Sequence, residues 1–380
     1  MEIEIGRGKK ARRAYGFDDI AIVPSRRTRD PDDVDVSWKL GDYRFELPLL
    51  ASAMDGVVSP RTAGIIGKLG GLAVLNLEGI FARYEDADEQ LERIAQLPKD
   101  VATREMQDIY RAPIDEDLMV QRIREIKDQG VVTAASLTPQ RVNRYYEKVL
   151  DAGLDILVIQ GTVVSAEHVS QTSEALNLKE FIADLPVPVV VGGCASYHTG
   201  LHLMRTGAAG VLVGVGPGAA CTTREVLGIG VPQVTAISDV AAARDAYMAE
   251  TGRYVPVVAD GGMRRGGELA KAVAAGADVL MLGSPLARAE EAPGRGTNWG
   301  MAAPSPNLPR GTRIKVGTAG TLERILFGPA NVTDGSENLV GALRQSMAAL
   351  GARTIRDMQA VEMIHAPSVQ TEGKSWQRGR

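Results

Sequence analysis

Cysteine occurs only twice in the 380 residues, at Cys194 and Cys221. Two thiols cannot build a disulfide framework, so a reducing compartment is the natural home. Aromatic residues make up 4%, which leaves the core to Gly, Ala, Val, Ile and Leu. That mix suits an α/β fold with Val/Ile-rich parallel strands. No charge of one sign dominates: 43 Lys and Arg stand against 47 Asp and Glu, a net charge of −4. Nucleic acid and membrane surfaces are therefore not expected as partners. No apolar run reaches the length of a membrane span, and Met1-Glu2-Ile3-Glu4 lacks the apolar core of a signal peptide. The expectation is a soluble cytoplasmic protein.

What is present is a rhythm. Residues 1–45 are polar, with basic clusters at Lys9, Lys10, Arg12, Arg13 and at Arg26-Arg27 that read as solvated surface. Eight short apolar runs then follow, at Leu47–Ala51, Leu72–Leu75, Val131–Ala135, Ile156–Ile159, Val187–Val191, Val211–Val213, Val255–Ala259 and Val279–Leu282. Helical patterns lie between them, and several close on a glycine just before the next run (Gly130, Gly153, Gly207, Gly276). Eight such units predict a single (β/α)₈ barrel over residues 1–380, with a doubly wound sheet as the alternative. Two stretches break the rhythm. Residues 79–116 read as a helical excursion over the barrel, and the Pro/Gly-rich 290–320 as a loop beside the site.

In such a barrel the chemistry sits where strands end. After Val211–Val213 come three alternating glycines, Gly214, Gly216 and Gly218, and then Cys221-Thr222-Thr223. Glycine-rich backbone can approach a ligand closely and offer its N–H groups to phosphate. A thiol just beyond is a candidate nucleophile; the alternative is a buried cysteine in a tight turn. Asp260-Gly261-Gly262 and Gly283-Ser284 follow the last two runs, where barrels often bind phosphate. Asp260 has a carboxylate suited to a ribose diol, although a helix cap followed by a turn is an equal reading.

At this point the residues carry a resemblance. G-V-G-P-G-A-A-C-T-T-R-E-V-L-G-I-G-V-P-Q (214–233) is similar to the catalytic loop of the IMP dehydrogenase/GMP reductase family. So are F-D-D-I-A-I-V-P (17–24), L-L-A-S-A-M-D-G (49–56), A-D-G-G (259–262), L-M-L-G-S-P (280–285) and W-G-M (299–301). The match is collinear over roughly residues 10–360 and lies nearest the short branch without CBS modules, so regulation through such modules is not expected. The resemblance implies that Cys221 attacks the purine of IMP while hydride leaves for NAD, and that water then releases XMP. By family position Asp260 holds the ribose. Gly262, Gly283 and Ser284 hold phosphate, with Gly218, Gly261 and Gly300 beside them. Ser52 and Met54 contact ribose and base, and Met301 lies near the purine. Asn76, Gln160, Gly161, Thr162 and Gly214 are the candidates for the cofactor side. The backbone carbonyls of Gly216, Gly218 and Cys221 correspond to a potassium site, and relatives are homotetramers.

The departures from the family pattern matter equally. A loop serine that helps hold phosphate is Ala219, the cofactor-loop Asp is Gln160, and the GGN motif reads Gly192-Gly193-Cys194. The mobile flap lacks the Arg-Tyr pair that activates water, and Arg310 occupies a position where relatives face the purine. Arg310, assisted by Thr223, is accordingly the candidate for water activation or oxyanion stabilisation, with a purine- or phosphate-binding arginine as the other reading. NADPH-dependent GMP reduction is the second reading of the chain. Pro304 stands against it, because it replaces a Glu that the reductases use. A purine-nucleotide sensor without turnover is the third.

Overall fold

The computed structural model describes residues 2–166, 176–300 and 311–366. Eight parallel strands close into a barrel in chain order: β1 (Leu49–Ala51), β2 (Leu72–Asn76), β3 (Ala134–Leu137), β4 (Ile156–Gln160), β5 (Val189–Cys194), β6 (Gly210–Val213), β7 (Val257–Asp260) and β8 (Val279–Leu282). β8 pairs back onto β1, which closes the ring and excludes the doubly wound sheet.

The two faces of each strand bury different cores, as a period of two requires. Leu50, Val74, Val158, Val190, Leu212, Val258 and Met281 fill the interior. Their neighbours, such as Ala51, Leu75, Ile159 and Val191, meet the surrounding helices. The glycines that end the helical patterns take positive φ (Gly130 +73°, Gly153 +93°, Gly207 +97°, Gly276 +120°), so each helix stops abruptly and the next strand starts at once.

Two expectations are corrected in detail. The third strand was expected to begin at Val131 and begins at Ala134. Asp155 explains the shift: its carboxylate accepts from Thr133 N at 2.8 Å and Thr133 Oγ1 at 2.6 Å, so the ladder starts beyond this clasp. Residues 1–45, read as a polar stretch, also contribute to the core. The basic clusters are exposed, but the hairpin Trp38–Leu40/Tyr43–Phe45 packs into the inner core at the N-terminal end of the barrel. Trp38 stacks on Phe45 at 4.8 Å and donates its indole N–H to Leu47 O at 2.8 Å.

With that end floored, the opposite end carries the long connections. Between β2 and β3 run a 3₁₀ turn (Ile80–Ala82) and helices Ala87–Gln96 and Ala102–Ile109. Arg122 pins their start by donating to the carbonyls of Phe81, Tyr84 and Glu85. After β8, Thr297–Asn298 pairs with Ile314–Lys315.

Candidate active site

β6 runs into the glycine loop, and two side chains fix its course through three hydrogen bonds. Gln233 donates to Val213 O at 2.7 Å, while Arg224 reaches Val215 O at 3.2 Å and Val231 O at 2.8 Å. A turn from Cys221 N to Gly218 O (3.0 Å) then lifts Cys221 into the mouth of the barrel. Its Sγ lies 3.2 Å from Thr223 Oγ1. Gly311 pairs with Cys221, and Thr312 N donates to Ala220 O at 3.0 Å. The strand that returns from the long loop is thus stitched to the cysteine. The other thiol has no such setting. Cys194 is 1% exposed at the end of β5, and burial pushes it up to about 12.

Cys221 opens into a cavity of about 1270 Å³ across the C-terminal ends of the strands. Asp260, Gly261 and Gly262 enter it after β7, and Gly283 and Ser284 after β8. Ser52 and Met54 enter after β1, and Asn76 ends β2. Gln160, Gly161 and Thr162 face it from β4 and beyond; Gly214, Gly216, Gly218 and Thr223 come from the β6 loop, and Gly300 from the long loop. The structure therefore brings every described candidate to one cavity. Met301, Arg310 and Pro304 lie outside the described residues.

Close approach explains the glycines here. A Cβ on Gly283 would sit 2.8 Å from Met54 Sδ, so a larger residue there would push the Met54 side chain from its place in the cavity wall. Gly261 and Gly262 take φ of +80° and +84°, a turn that L side chains resist.

Electrostatically, the site holds a reluctant carboxylate. Burial pushes Asp260 up to about 6, against the opposing hydrogen bond from Gln160 Nε2 at 3.0 Å. Gln160 Oε1 is buried without a partner. Asn298 donates to Ser284 Oγ at 3.1 Å, holding that hydroxyl beside Gly283.

The sequence reading missed two groups. Glu78, Arg83 and Arg141 line the cavity beyond β2 and β3. They follow strand ends, which was the available signal, but arginines in charged stretches read as surface. Asp55 figured in the sequence only as part of the L-L-A-S-A-M-D-G stretch. It is 2% exposed and accepts from Tyr110 Oη at 2.5 Å and Ile80 N at 3.1 Å, while Trp299 donates to the same Tyr110 oxygen at 2.7 Å. Burial raises Asp55 to about 6 and Tyr110 well above its ordinary value. Among the described residues no three His, Cys, Asp or Glu side chains come together as a metal site.

Comparison with known proteins settles the ancestry of this arrangement. The family model described as "IMP dehydrogenase / GMP reductase domain" matches residues 14–301. The chain belongs to the IMP dehydrogenase/GMP reductase family. A crystal structure of an IMP dehydrogenase/GMP reductase-like protein from Corynebacterium glutamicum is similar with a TM-score of 0.91 and 44% identity, covering 96% of this chain and 98% of that one. An uncharacterized oxidoreductase of Mycolicibacterium smegmatis is 48% identical over 94% of this chain and 98% of its own length. The inosine-5'-monophosphate dehydrogenase of Methanocaldococcus jannaschii is 26% identical over 96% of this chain and 95% of its own. The barrel is thus that of an oxidoreductase family. No helix among the described residues is long and apolar enough to cross a membrane.

Proposed function

We propose that this member of the family oxidises IMP to XMP with NAD through a covalent intermediate on Cys221. The observation that carries the reading is Cys221 itself, lifted on a glycine loop into a large cavity with Thr223 Oγ1 at 3.2 Å. In the first step Sγ gives up its proton to water and bonds to C2 as the purine C2–H bond breaks, the hydride leaving with its electron pair. In the second, water adds to C2 and Sγ departs as the leaving group. Asp260 holds the ribose hydroxyls, Gly262, Gly283 and Ser284 hold the phosphate, and Ser52 and Met54 position ribose and base. Ala219 supplies no hydroxyl for that phosphate.

NAD, when bound, accepts the hydride. The donor set fits its nicotinamide. Gln160 Oε1 is a buried acceptor without a partner, suited to a carboxamide N–H, and Asn76, Gly161, Thr162 and Gly214 line the adjoining wall. The carbonyls of Gly216, Gly218 and Cys221 offer the hard oxygen ligands that a potassium ion takes. Arg310 is the residue we assign to water activation or oxyanion stabilisation. Its neighbour Gly311 pairs with Cys221, which supports the assignment. A homotetramer completes the reading.

The test follows absorbance of reduced nicotinamide with IMP plus NAD and, separately, GMP plus NADPH. Growth with IMP, lost in Cys221→Ala, is the expected result. Arg310→Ala should keep a first burst of reduced cofactor and lose sustained turnover. Decay with GMP would make the chain a reductase, and silence in both with IMP bound would make it a sensor.

A further inference from the structure

We propose that Arg313 is a positioning residue for the chemistry at Cys221: it locks the segment that pairs with the cysteine onto the helical segment between β2 and β3. The proposal rests on reading Cys221 as the nucleophile. Its first support lies at the C-terminal end of helix Ala87–Gln96. The last four carbonyls of a helix have no partner within it. Several helices of this chain end on a glycine at positive φ, but here Leu97 and Pro98 follow, and no left-handed turn covers those carbonyls. Arg313 supplies donors instead. Its Nη1 donates to Ile94 O and, at 3.2 Å, to Ala95 O, and its Nη2 donates to Leu97 O at 2.5 Å. A cation suits a helix C-terminus, and the planar guanidinium fork reaches several carbonyls at once.

The second support is what the two preceding residues do. Gly311 pairs with Cys221, and Thr312 N donates to Ala220 O at 3.0 Å. A run of three residues thus meets the cysteine at one end and the helix at the other. The departing side of the long loop reaches the same place. A Cβ on Gly300 would lie 3.3 Å from Gly311 Cα and 3.5 Å from Ala220 O, so three backbones meet here. That side is also tied to the helical segment, by Trp299 Nε1 donating to Tyr110 Oη at 2.7 Å and by Arg295 Nη1 at 3.1 Å from Glu92 Oε2. The Arg295 pair is exposed and contributes little. Arg313 does not line the cavity, so it acts through the segment and not on a ligand. Without its bonds Gly311 and Thr312 lose their backing against Ala220 and Cys221. Attack by Sγ needs a fixed approach to C2, and a small misplacement of reacting atoms costs up to ~100-fold in rate.

Arg313→Gln and Arg313→Lys in the full chain test this, with Ile94→Val as control. Arg313 is partly exposed and outside the core, so both variants should fold. Ile94→Val keeps the carbonyl acceptor and weakens only the packing of the same helix. Two quantities are read: kcat and KM with IMP and NAD, and deuterium uptake of residues 311–316 without ligand, by mass spectrometry. Arg313→Gln should lower kcat by about 10-fold or more. KM for IMP should stay within about 2-fold, since the proposed ribose and phosphate contacts come from β7 and β8. Uptake should rise as Thr312 N–H loses its protection. Arg313→Lys, which keeps a cation at the helix end, should recover part of both, and Ile94→Val should match the native chain. The proposal is overturned if kcat or uptake in Arg313→Gln matches the native chain. An equal fall of kcat in Ile94→Val also overturns it, because general loosening of the helix would then suffice. If the native chain turns over no IMP, the reading of the reaction falls and uptake alone decides. Faster uptake in Arg313→Gln then keeps the anchor, and equal uptake removes it.

Discussion

Asp260, proposed to hold the ribose, would also report on its ligand through its own titration. A carboxylate surrounded by barrel interior loses hydration, so burial raises it to about 6 and the Gln160 amide recovers only part of the loss. Ribose hydroxyls donate to the ionised form, so binding should favour the carboxylate and weaken as pH falls through about 6. The phosphate of IMP titrates nearby as well, and the comparison with Asp260→Asn separates the two. The native chain should lose IMP affinity more steeply than the variant between pH 7.5 and 5, read by calorimetry. Equal slopes would show that Asp260 does not hold the ribose. The two cysteines make the same point about environment. Both were visible in the sequence, and only the structure separates a thiol sealed to 1% exposure from one at the cavity mouth.

At the scale of elements, the long loop after β8 is tied to the rest of the site at both of its described ends. Gly311 pairs with Cys221 on one side, and Trp299 hangs from Tyr110 on the other. Tyr110 lies just past helix Ala102–Ile109, and its hydroxyl both donates to Asp55 and accepts from the indole. The helical segment between β2 and β3 is therefore coupled to the start of the loop through one buried oxygen. Tyr110→Phe leaves Trp299 Nε1 without its acceptor and Asp55 without its hydroxyl donor, a cost of about 1–3 kcal/mol for each buried group stranded. Tyr84→Phe is the control, since it loses a single bond to Ile109 O in the same segment and the ring is only partly buried. The urea midpoint should fall clearly further in Tyr110→Phe. Equal shifts would show that the three-residue chain is not cohesive.

Across the whole molecule, local pattern revealed most of the barrel, because each strand is a short aliphatic run and several of the helices between them stop on a glycine at positive φ. The hairpin floor was not legible: Trp38 and Phe45 stand outside the apolar runs, and their partners come from all round the ring. Site residues at strand ends were legible for the same topological reason, whereas Asp55, Tyr110 and Trp299 meet from three distant stretches and carry no shared motif. That network has a global consequence. Asp55 binds a proton in the folded chain up to about pH 6, but only up to its ordinary value of 3.8 when unfolded. Between those values the folded state holds more protons, so this group's contribution makes stability fall as pH rises from about 4 to about 6 and then level off. Two pH units correspond to about 3 kcal/mol. Other carboxylates, Asp155 and Glu337 among them, are lowered and act in the opposite direction, so the difference between the native chain and Asp55→Asn is the quantity to measure. Unfolding free energies in urea at pH 4, 5, 6 and 7 should show the native chain losing ground to the variant up to about pH 6, with no further change above. A difference that stays constant over that range would mean that Asp55 keeps its ordinary proton affinity inside the fold.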